Sequence, residues 1–276
     1  MITSIGKRYI IDYFANKTTA RTKYIAVGIG SDSASINDIK LQFETGRYPV
    51  ISTSLDYVNS QIIYKAQLPV DLYAKISELG LYQDSGASPT IYDSNVVSFF
   101  DNDAEWSNGT IAPSQYSKVG ESMFFVQTGN GTASTTEKTA DFDFSGYSGN
   151  DKISVAFYQD ANLSNFRLRL HTTNTDYYYY DFTAEASAGY YLKTINMSDI
   201  INNTNKQGSP TTDFEKISIV VTPESGTVSV LQLDALRIDD MDIYTYDKGI
   251  ISRSVITPVT KEFGRVMDVE YRMEMS

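Results

Sequence analysis

Two short apolar segments that are predicted to be strands lie far apart in this chain of 276 residues. Ser77–Tyr82 ends a β-patterned run and is followed by turn residues, and Ile250–Ile256 opens the C-terminal part. The segment after residue 240 is too short to form a domain, because a few strands cannot bury enough surface to offset their ordering entropy. We therefore expect it to pack on the N-terminal part, with a second domain inserted between the two strands.

The predicted fold is mainly β. Residues 1–88 and 241–276 are expected to form a split β-rich domain with one N-terminal helix, which Thr3 or Ser4 can cap. Residues 89–240 are expected to form an inserted antiparallel β-sandwich of jelly-roll kind. The insert carries nine short β-branched or aromatic segments bounded by Gly, Asn, Asp or Pro, a pattern typical of two-sheet sandwiches.

Composition excludes several classes of protein. The net charge of -11 and the isoelectric point near 4.6 argue against nucleic-acid binding, which needs a basic face to displace counterions. The chain has no cysteine, so disulfides, thiolate metal sites and thiol catalysis are excluded. No stretch approaches the length of an apolar membrane span, and no signal peptide is predicted, so we expect no membrane insertion.

Signatures of catalysis are few in this sequence. His171 is the single histidine, and no G-x-S-x-G nucleophile elbow accompanies it. The Gly28–Gly30 and Gly129–Gly131 segments lack both the third glycine and the Lys-Ser/Thr pair of phosphate-binding loops, so turns explain them better. We therefore expect a protein that is not an enzyme and that requires no cofactor.

A group of carboxylates lies near the predicted first and last strands of the insert. Asp101 and Asp103 begin a segment that departs from an EF-hand loop, because Trp106 stands where the loop requires glycine. A looser calcium site of oxygen ligands remains open if these residues meet Asp234. The alternative is that they are solvated acidic loop residues.

The most suggestive pattern is a pair of aromatic and basic segments, Phe166–His171 and Tyr177–Phe182, separated by a turn over Thr172–Asp176. With period two, alternate side chains point to opposite faces of a strand. If the strands pair, one face presents Arg167, Arg169, His171, Tyr177, Tyr179 and Asp181. Such a face suits sugars, whose C–H groups stack on aromatic rings while their hydroxyls bond to polar groups. The alternative is that the tyrosines pack against another subunit.

The outer segments resemble a class of bacteriophage virion proteins associated with the tail fibre, collar or baseplate. The segments that carry the resemblance are Ile2–Lys7, Tyr24–Gly30, Ile76–Tyr82, Ile251–Lys261 and Met267–Tyr271. In that family a short turn commonly joins the third and fourth of these, whereas in this chain an inserted domain separates them. The resemblance implies a structural virion protein, made in the host cytoplasm, that contacts other virion proteins and assembles as a homo-oligomer, either a trimer or a ring.

The insert is similar to jelly-roll carbohydrate-binding modules. The segments that carry this similarity are Phe100–Trp106, Phe166–Leu170, Tyr178–Phe182 and Leu231–Ile238. In those modules the first and last strands often share a structural calcium ion, which implies Asp101, Asp103 and Asp234 as ligands.

These patterns together predict a non-enzymatic component of a tailed phage virion, located in the tail, neck or baseplate or attached to the capsid as decoration. It would display an outward β-sandwich for assembly or contact with the host surface. The alternative is a glycan-binding module for host recognition. A polysaccharide-active enzyme is a third hypothesis, and it would need two carboxylates about 5 to 9.5 Å apart in a cleft.

Overall fold

The structure is a computed structural model that describes residues 1–15, 17, 22–83, 96–101, 106–143, 147–202, 204–241 and 249–274. The chain divides into two compact units. The first unit comprises Met1–Ser94 and Asp242–Ser276, and the second comprises Asn95–Met241. Both consist mainly of antiparallel strands, so the predicted fold class is confirmed.

Strands dominate the order of elements along the chain, which is α1 Ser4–Phe14, β1 Thr22–Gly28, β2 Glu44–Asp56, β3 Gln61–Leu68, β4 Ala74–Gln83, β5 Val96–Ser98, β6 Thr110–Pro113, β7 Ser122–Gln127, β8 Ser134–Asp143, β9 Lys152–Gln159, β10 Leu163–His171, β11 Tyr177–Thr183, β12 Gly189–Asn196, α2 Met197–Ile200, β13 Lys206–Gln207, β14 Asp213–Pro223, β15 Val230–Asp239, β16 Ile250–Lys261 and β17 Met267–Glu274. In the part of the chain that the structure describes, neither helix is long and apolar enough to cross a membrane.

The first unit is a six-stranded sheet with the strand order β16-β4-β1-β2-β3-β17. The predicted pairing of its two distant segments is confirmed, because β16 lies antiparallel to β4 with Ile250 opposite Tyr82 and Arg253 opposite Gly80. β4 lies between β16 and β1, and all but one of its residues are buried. The C-terminal segment thus completes the sheet that the N-terminal part begins.

Helix α1 is held against this sheet at its first turn. Thr3 is its N-cap, and the Thr3 hydroxyl oxygen accepts a hydrogen bond from Gly6 N at 3.0 Å. A side chain at Gly6 would overlap the carbonyl oxygen of Ile251, so the close approach of helix and strand requires glycine at this position. The apolar side chains of α1 are buried only in part, since Tyr9 is buried while Phe14 is 75% exposed.

A buried carboxylate explains the first glycine-rich segment. Glu78 on β4 is fully buried and accepts hydrogen bonds from Gly30 N at 3.0 Å and Phe43 N at 2.8 Å. The Arg253 guanidinium forms an ion pair with the other oxygen of Glu78, at a distance of 2.9 Å. A Cβ on Gly30 would overlap the Glu78 carboxylate, so glycine at this position leaves room for an internal ion pair.

The second unit consists of two antiparallel sheets. One has the strand order β13-β11-β10-β14-β8, and the other has the order β12-β9-β15-β7-β6 with β5 paired to β15. Aromatic side chains from both sheets meet in the core, where Phe157 of β9 contacts Phe166 of β10 with 4.8 Å between ring centroids. Phe182 of β11 stacks on Phe166 at 4.6 Å. The core is therefore filled by the inner faces of the two sheets.

Candidate functional site

The candidate site lies on the outer face of the sheet that contains β10 and β11. These strands pair as predicted, with Arg167 opposite Asp181, Arg169 opposite Tyr179 and His171 opposite Tyr177. The intervening residues of β10 face inward, since Phe166, Leu168 and Leu170 are each 1% exposed. The alternating pattern of the two segments therefore separates a core face from an outer face.

The inner residues of β11 are less deeply buried than those of β10. Phe182 is in the core, whereas Tyr178 and Tyr180 pack against it and stay partly exposed. The Tyr178 hydroxyl donates to the carbonyl oxygen of Pro210 at 3.2 Å, near the edge of the sheet. Because the hydroxyl reaches toward this edge, the ring is not fully enclosed by the core.

Arg167, Arg169, Tyr177, Tyr179 and Asp181 form a connected surface, which we call the Arg–Tyr face. Arg167 donates two hydrogen bonds to the Asp181 carboxylate, at 2.7 and 2.8 Å. Its guanidinium carbon lies 4.1 Å from the ring centroid of Tyr179, and that of Arg169 lies 4.8 Å from the ring centroid of Tyr177. These cation–π contacts hold the side chains in place while both tyrosines remain half-buried.

The structure buries His171, and the predicted contact of this residue with a ligand stays a prediction. His171 is only 4% exposed, and its Nε2 lies 2.7 Å from the Ser218 hydroxyl. Burial, together with the positive charges of Lys216 and Arg169, lowers the pKa of His171 to about 4. The ring of Tyr177 packs 4.8 Å from the imidazole, so His171 is neutral at neutral pH and supports the face from beneath.

The carboxylate of Asp234 occupies a second buried polar site, on β15. Asp234 has no surface exposure. Its two oxygens accept hydrogen bonds from Ser117 Oγ at 3.2 Å, Lys118 N at 3.0 Å, Val119 N at 3.2 Å and Tyr190 Oη at 2.6 Å. Burial raises the pKa of Asp234 to about 6, although these hydrogen bonds oppose the shift. The carboxylate is thus already bonded to four donors of the chain.

Asp101 approaches this site, as the calcium hypothesis requires. Desolvation of the carboxyl group, and then the negative charge of Asp234, raise the pKa of Asp101 to about 7, although the residue as a whole is exposed. Asp103 lies outside the described residues. Among the residues that are described, no group of three or more His, Cys, Asp or Glu side chains is arranged to hold a metal. The structural calcium therefore stays a prediction.

The raised pKa of Asp101 predicts how stability depends on pH. A group whose folded-state pKa is raised contributes most stability below its unfolded pKa, about 4, and loses it as the pH rises through the folded value. For Asp101 the folded pKa is about 7. Replacing Asp101 with Asn should therefore raise the melting temperature of the second unit at pH 8 and change it little at pH 4, and the rise should be small because solvent screens an exposed residue.

Fluorescence of Trp106 can measure this effect, because Trp106 is the only tryptophan of the chain and is buried in the second unit. Melting curves recorded in EDTA between pH 4 and pH 8 exclude any contribution from a bound cation. Asp213→Asn, on an exposed strand position, is the matched control. Melting temperatures of Asp101→Asn and the wild type that differ by the same amount at every pH would contradict the prediction.

Sequence reasoning missed an aromatic cluster on the outer face of the other sheet. The rings of Tyr116 and Tyr158 stack with centroids 3.7 Å apart. Tyr190 lies opposite Tyr158 on the neighbouring strand, and Lys118 lies 4.2 Å from the Tyr190 ring centroid. Tyr116 belongs to the segment between β6 and β7, so no period-two pattern in the sequence could have placed it beside Tyr158.

Comparisons with known proteins find similarity in structure alone. No protein-family model matches the chain, and no characterised protein matches its sequence. The family 11 carbohydrate-binding module from Clostridium thermocellum, solved with a β-1,3-1,4-mixed-linked tetrasaccharide, is similar over 52% of this chain and 94% of its own, with 13% identity and a TM-score of 0.40.

Two other solved structures resemble a similar share of the chain. A family 61 carbohydrate-binding module in complex with β-1,4-galactotriose matches over 53% of this chain and 98% of its own, with 8% identity and a TM-score of 0.35. The enzymatically active domain of tailspike protein 4 of bacteriophage CBA120 matches over 52% of this chain and 21% of its own, with 12% identity and a TM-score of 0.31. Scores this low assign no function by themselves.

Proposed function

We propose that the second unit binds glycans on the Arg–Tyr face and does not catalyse a reaction. The observation that carries this proposal is the register of β10 and β11, which brings two arginines and two half-exposed tyrosines onto one outer face. Tyrosine rings offer apolar surface to the C–H groups of a sugar, and the guanidinium groups donate to its hydroxyls. Together they supply both kinds of contact that sugar recognition needs.

The contacts among the side chains of the Arg–Tyr face favour a ligand-binding role over that of an ordinary exposed surface. The cation–π pairs and the Arg167–Asp181 hydrogen bonds order the side chains before a ligand arrives. Pre-ordered side chains lose less conformational entropy when a ligand binds, so more of the contact energy appears as affinity. A face of freely rotating arginines would bind a sugar more weakly.

The proposal that the second unit does not catalyse a reaction rests on two carboxyl groups with raised pKa values, Asp101 and Asp234. Glycoside hydrolysis needs two carboxyl groups that both reach the substrate. Asp101 and Asp234 have the raised pKa values that acid catalysis uses, but Asp234 has no surface exposure and bonds to four donors of the chain. In this arrangement the pair cannot flank a glycosidic bond.

A double variant tests the binding proposal. Replacing Tyr177 and Tyr179 with Ala should weaken binding to a glycan by about 30-fold or more, as for aromatic residues that dominate other interfaces. A glycan array would identify the ligand, and isothermal titration with the full chain would measure the loss. Trp106 fluorescence would verify that the variant stays folded.

A matched control is available in the first unit, where Tyr57 is 84% exposed. Tyr57→Ala removes an equally large exposed ring and should leave binding unchanged. If binding instead persists in the Tyr177/Tyr179 variant and is lost in Tyr116→Ala, the ligand site lies on the opposite sheet. No binding to any arrayed glycan would favour an assembly or display role for the unit.

We further propose that the first unit attaches the chain to a tailed phage virion, as the resemblance of the outer segments implies. The supporting observation is an apolar groove of about 370 Å³ lined in part by Tyr13, Phe14 and Leu55. These three side chains are 52%, 75% and 55% exposed, and contiguous exposed apolar surface is typical of interaction sites. An image of the intact virion in which this chain can be placed, with its number of copies, would test both the attachment and the oligomeric state.

A further inference from the structure

The charges of the Arg–Tyr face and its neighbours do not balance. Arg167 pairs with Asp181, and on the neighbouring strands of the same sheet Lys216 pairs with Glu137 at 3.0 Å. Arg169 lies between these two pairs. Within the described residues no carboxylate pairs with Arg169, and its Nε is buried without a hydrogen-bond partner. The face therefore carries one uncompensated positive charge in a chain whose net charge is -11.

The surroundings of Arg169 leave this charge without an internal counter-ion. Its opposite neighbours across the sheet are Tyr179 on one side and Ser218 on the other, and neither carries a carboxylate. His171, two residues away, adds no negative charge. The guanidinium is held over the ring of Tyr177, so it cannot swing freely into solvent to recover full hydration.

We propose that the glycan bound by the Arg–Tyr face is acidic, and that its carboxylate or sulfate group pairs with Arg169. This inference rests on the proposed glycan-binding function. A planar guanidinium presents its N–H groups in a fork that matches two oxygens of a carboxylate or a sulfate. A neutral sugar would shield Arg169 from water without supplying the opposite charge, whereas an acidic sugar supplies it.

The charge of the whole chain makes this pairing specific. A polyanion is repelled by a protein of net charge -11, and this long-range repulsion is screened beyond about 8 to 10 Å at ordinary ionic strength. Attraction at short range must then come from a local cation. Acidic glycans should therefore bind through Arg169 rather than through a general affinity for negative charge.

Matched ligands test the inference with the full chain. Isothermal titration would compare an oligogalacturonate with the same oligomer after methyl esterification, and a sulfated galactan oligosaccharide with its desulfated form. We expect an acidic member to bind at least about 10-fold more tightly than its neutral partner, as expected for one charge-assisted hydrogen bond or more. Whether the carboxylate or the sulfate pair shows the difference identifies the acidic group.

Variants of Arg169 then assign the effect to this residue. Arg169→Gln should weaken binding of the acidic ligand by about 10- to 100-fold and binding of the neutral one far less, because a neutral sugar loses only an uncharged hydrogen bond. Arg169→Lys should keep part of the affinity for the acidic ligand, because it keeps the charge but not the fork. Arg265→Gln removes the same charge from an exposed position of the first unit and should have no effect. Unchanged Trp106 melting curves would verify folding.

Two outcomes would contradict the inference of an acidic ligand, and only the second would also contradict the proposed glycan-binding function. Equal binding of acidic and neutral partners, with binding still lost in the Tyr177/Tyr179 variant, rejects the acidic ligand and keeps the glycan-binding function. Absence of binding to all four oligosaccharides and to a glycan array rejects both.

Discussion

Replacing Arg253 with Met should lower the free energy of unfolding of the first unit by about 3 to 5 kcal/mol, the usual cost of removing one partner of a buried ion pair. The change leaves the Glu78 carboxylate buried without its cation, in a site where the side chain of Glu78 is 0% exposed and that of Arg253 is 4% exposed. Calorimetry would record the transition of the first unit, and Trp106 fluorescence would show the second unit unchanged.

The Glu78 carboxylate also accepts hydrogen bonds from backbone N–H groups. A second variant measures this contribution separately from the ion pair. The double variant Arg253→Met/Glu78→Leu removes both charges of this ion pair, but the N–H groups of Gly30 and Phe43 lose the Glu78 oxygen that they bond, and Asp38 loses its bond from Arg253. We therefore expect the double variant to stay less stable than the wild type. Arg272→Met, at a side chain that is 56% exposed and bonded to Glu270, is the matched control and should cost about 1 kcal/mol or less. Equal losses in Arg253→Met and the control would contradict the buried network.

The second large effect concerns the core beneath the Arg–Tyr face. Phe166→Ala should cost about 3 to 5 kcal/mol, as for other buried aromatic residues truncated to Ala. Its ring is 1% exposed and contacts both Phe157 and Phe182, so the truncation opens a cavity between the two sheets. Denaturant unfolding followed by Trp106 fluorescence would measure the loss.

A substitution on the outer face of the neighbouring strand β11 is the control for Phe166→Ala. Tyr179→Ala removes a half-exposed ring and one cation–π contact, so it should cost only about 1 kcal/mol. If Tyr179→Ala destabilises the unit as much as Phe166→Ala, the register of β10 and β11 is wrong, and the proposed face with it.

Local patterns were sufficient to predict the strands that carry the face. Phe166, Leu168 and Leu170 alternate with polar residues, and this period alone fixes which side chains enter the core. Polar strands gave a weaker signal. β8 begins with Ser134–Glu137, which offers neither aromatic nor aliphatic residues to mark an inner face.

Burial and long-range contacts lay beyond the reach of those patterns. Periodicity places His171 on the outer face, but only the packing of Tyr177 and Ser218 around it decides that it is covered. Three of the four residues that donate hydrogen bonds to Asp234 are Ser117, Lys118 and Val119, which lie more than a hundred residues earlier. No spacing in the sequence encodes such a meeting, because it depends on how loops fold over the sheet.

The pairing of β4 with β16 has a mechanical consequence. The described chain leaves the first unit at the end of β4 and returns at the start of β16, and these two points face each other as Tyr82 and Ile250. A force that pulls the inserted segment away from this end of the sheet loads both strands lengthwise and in the same direction. β4 is also hydrogen-bonded along its length to β1. Pulling β4 out of the sheet lengthwise would break these hydrogen bonds in shear. The hydrogen bonds between β4 and β1 therefore resist such a pull together rather than one after another.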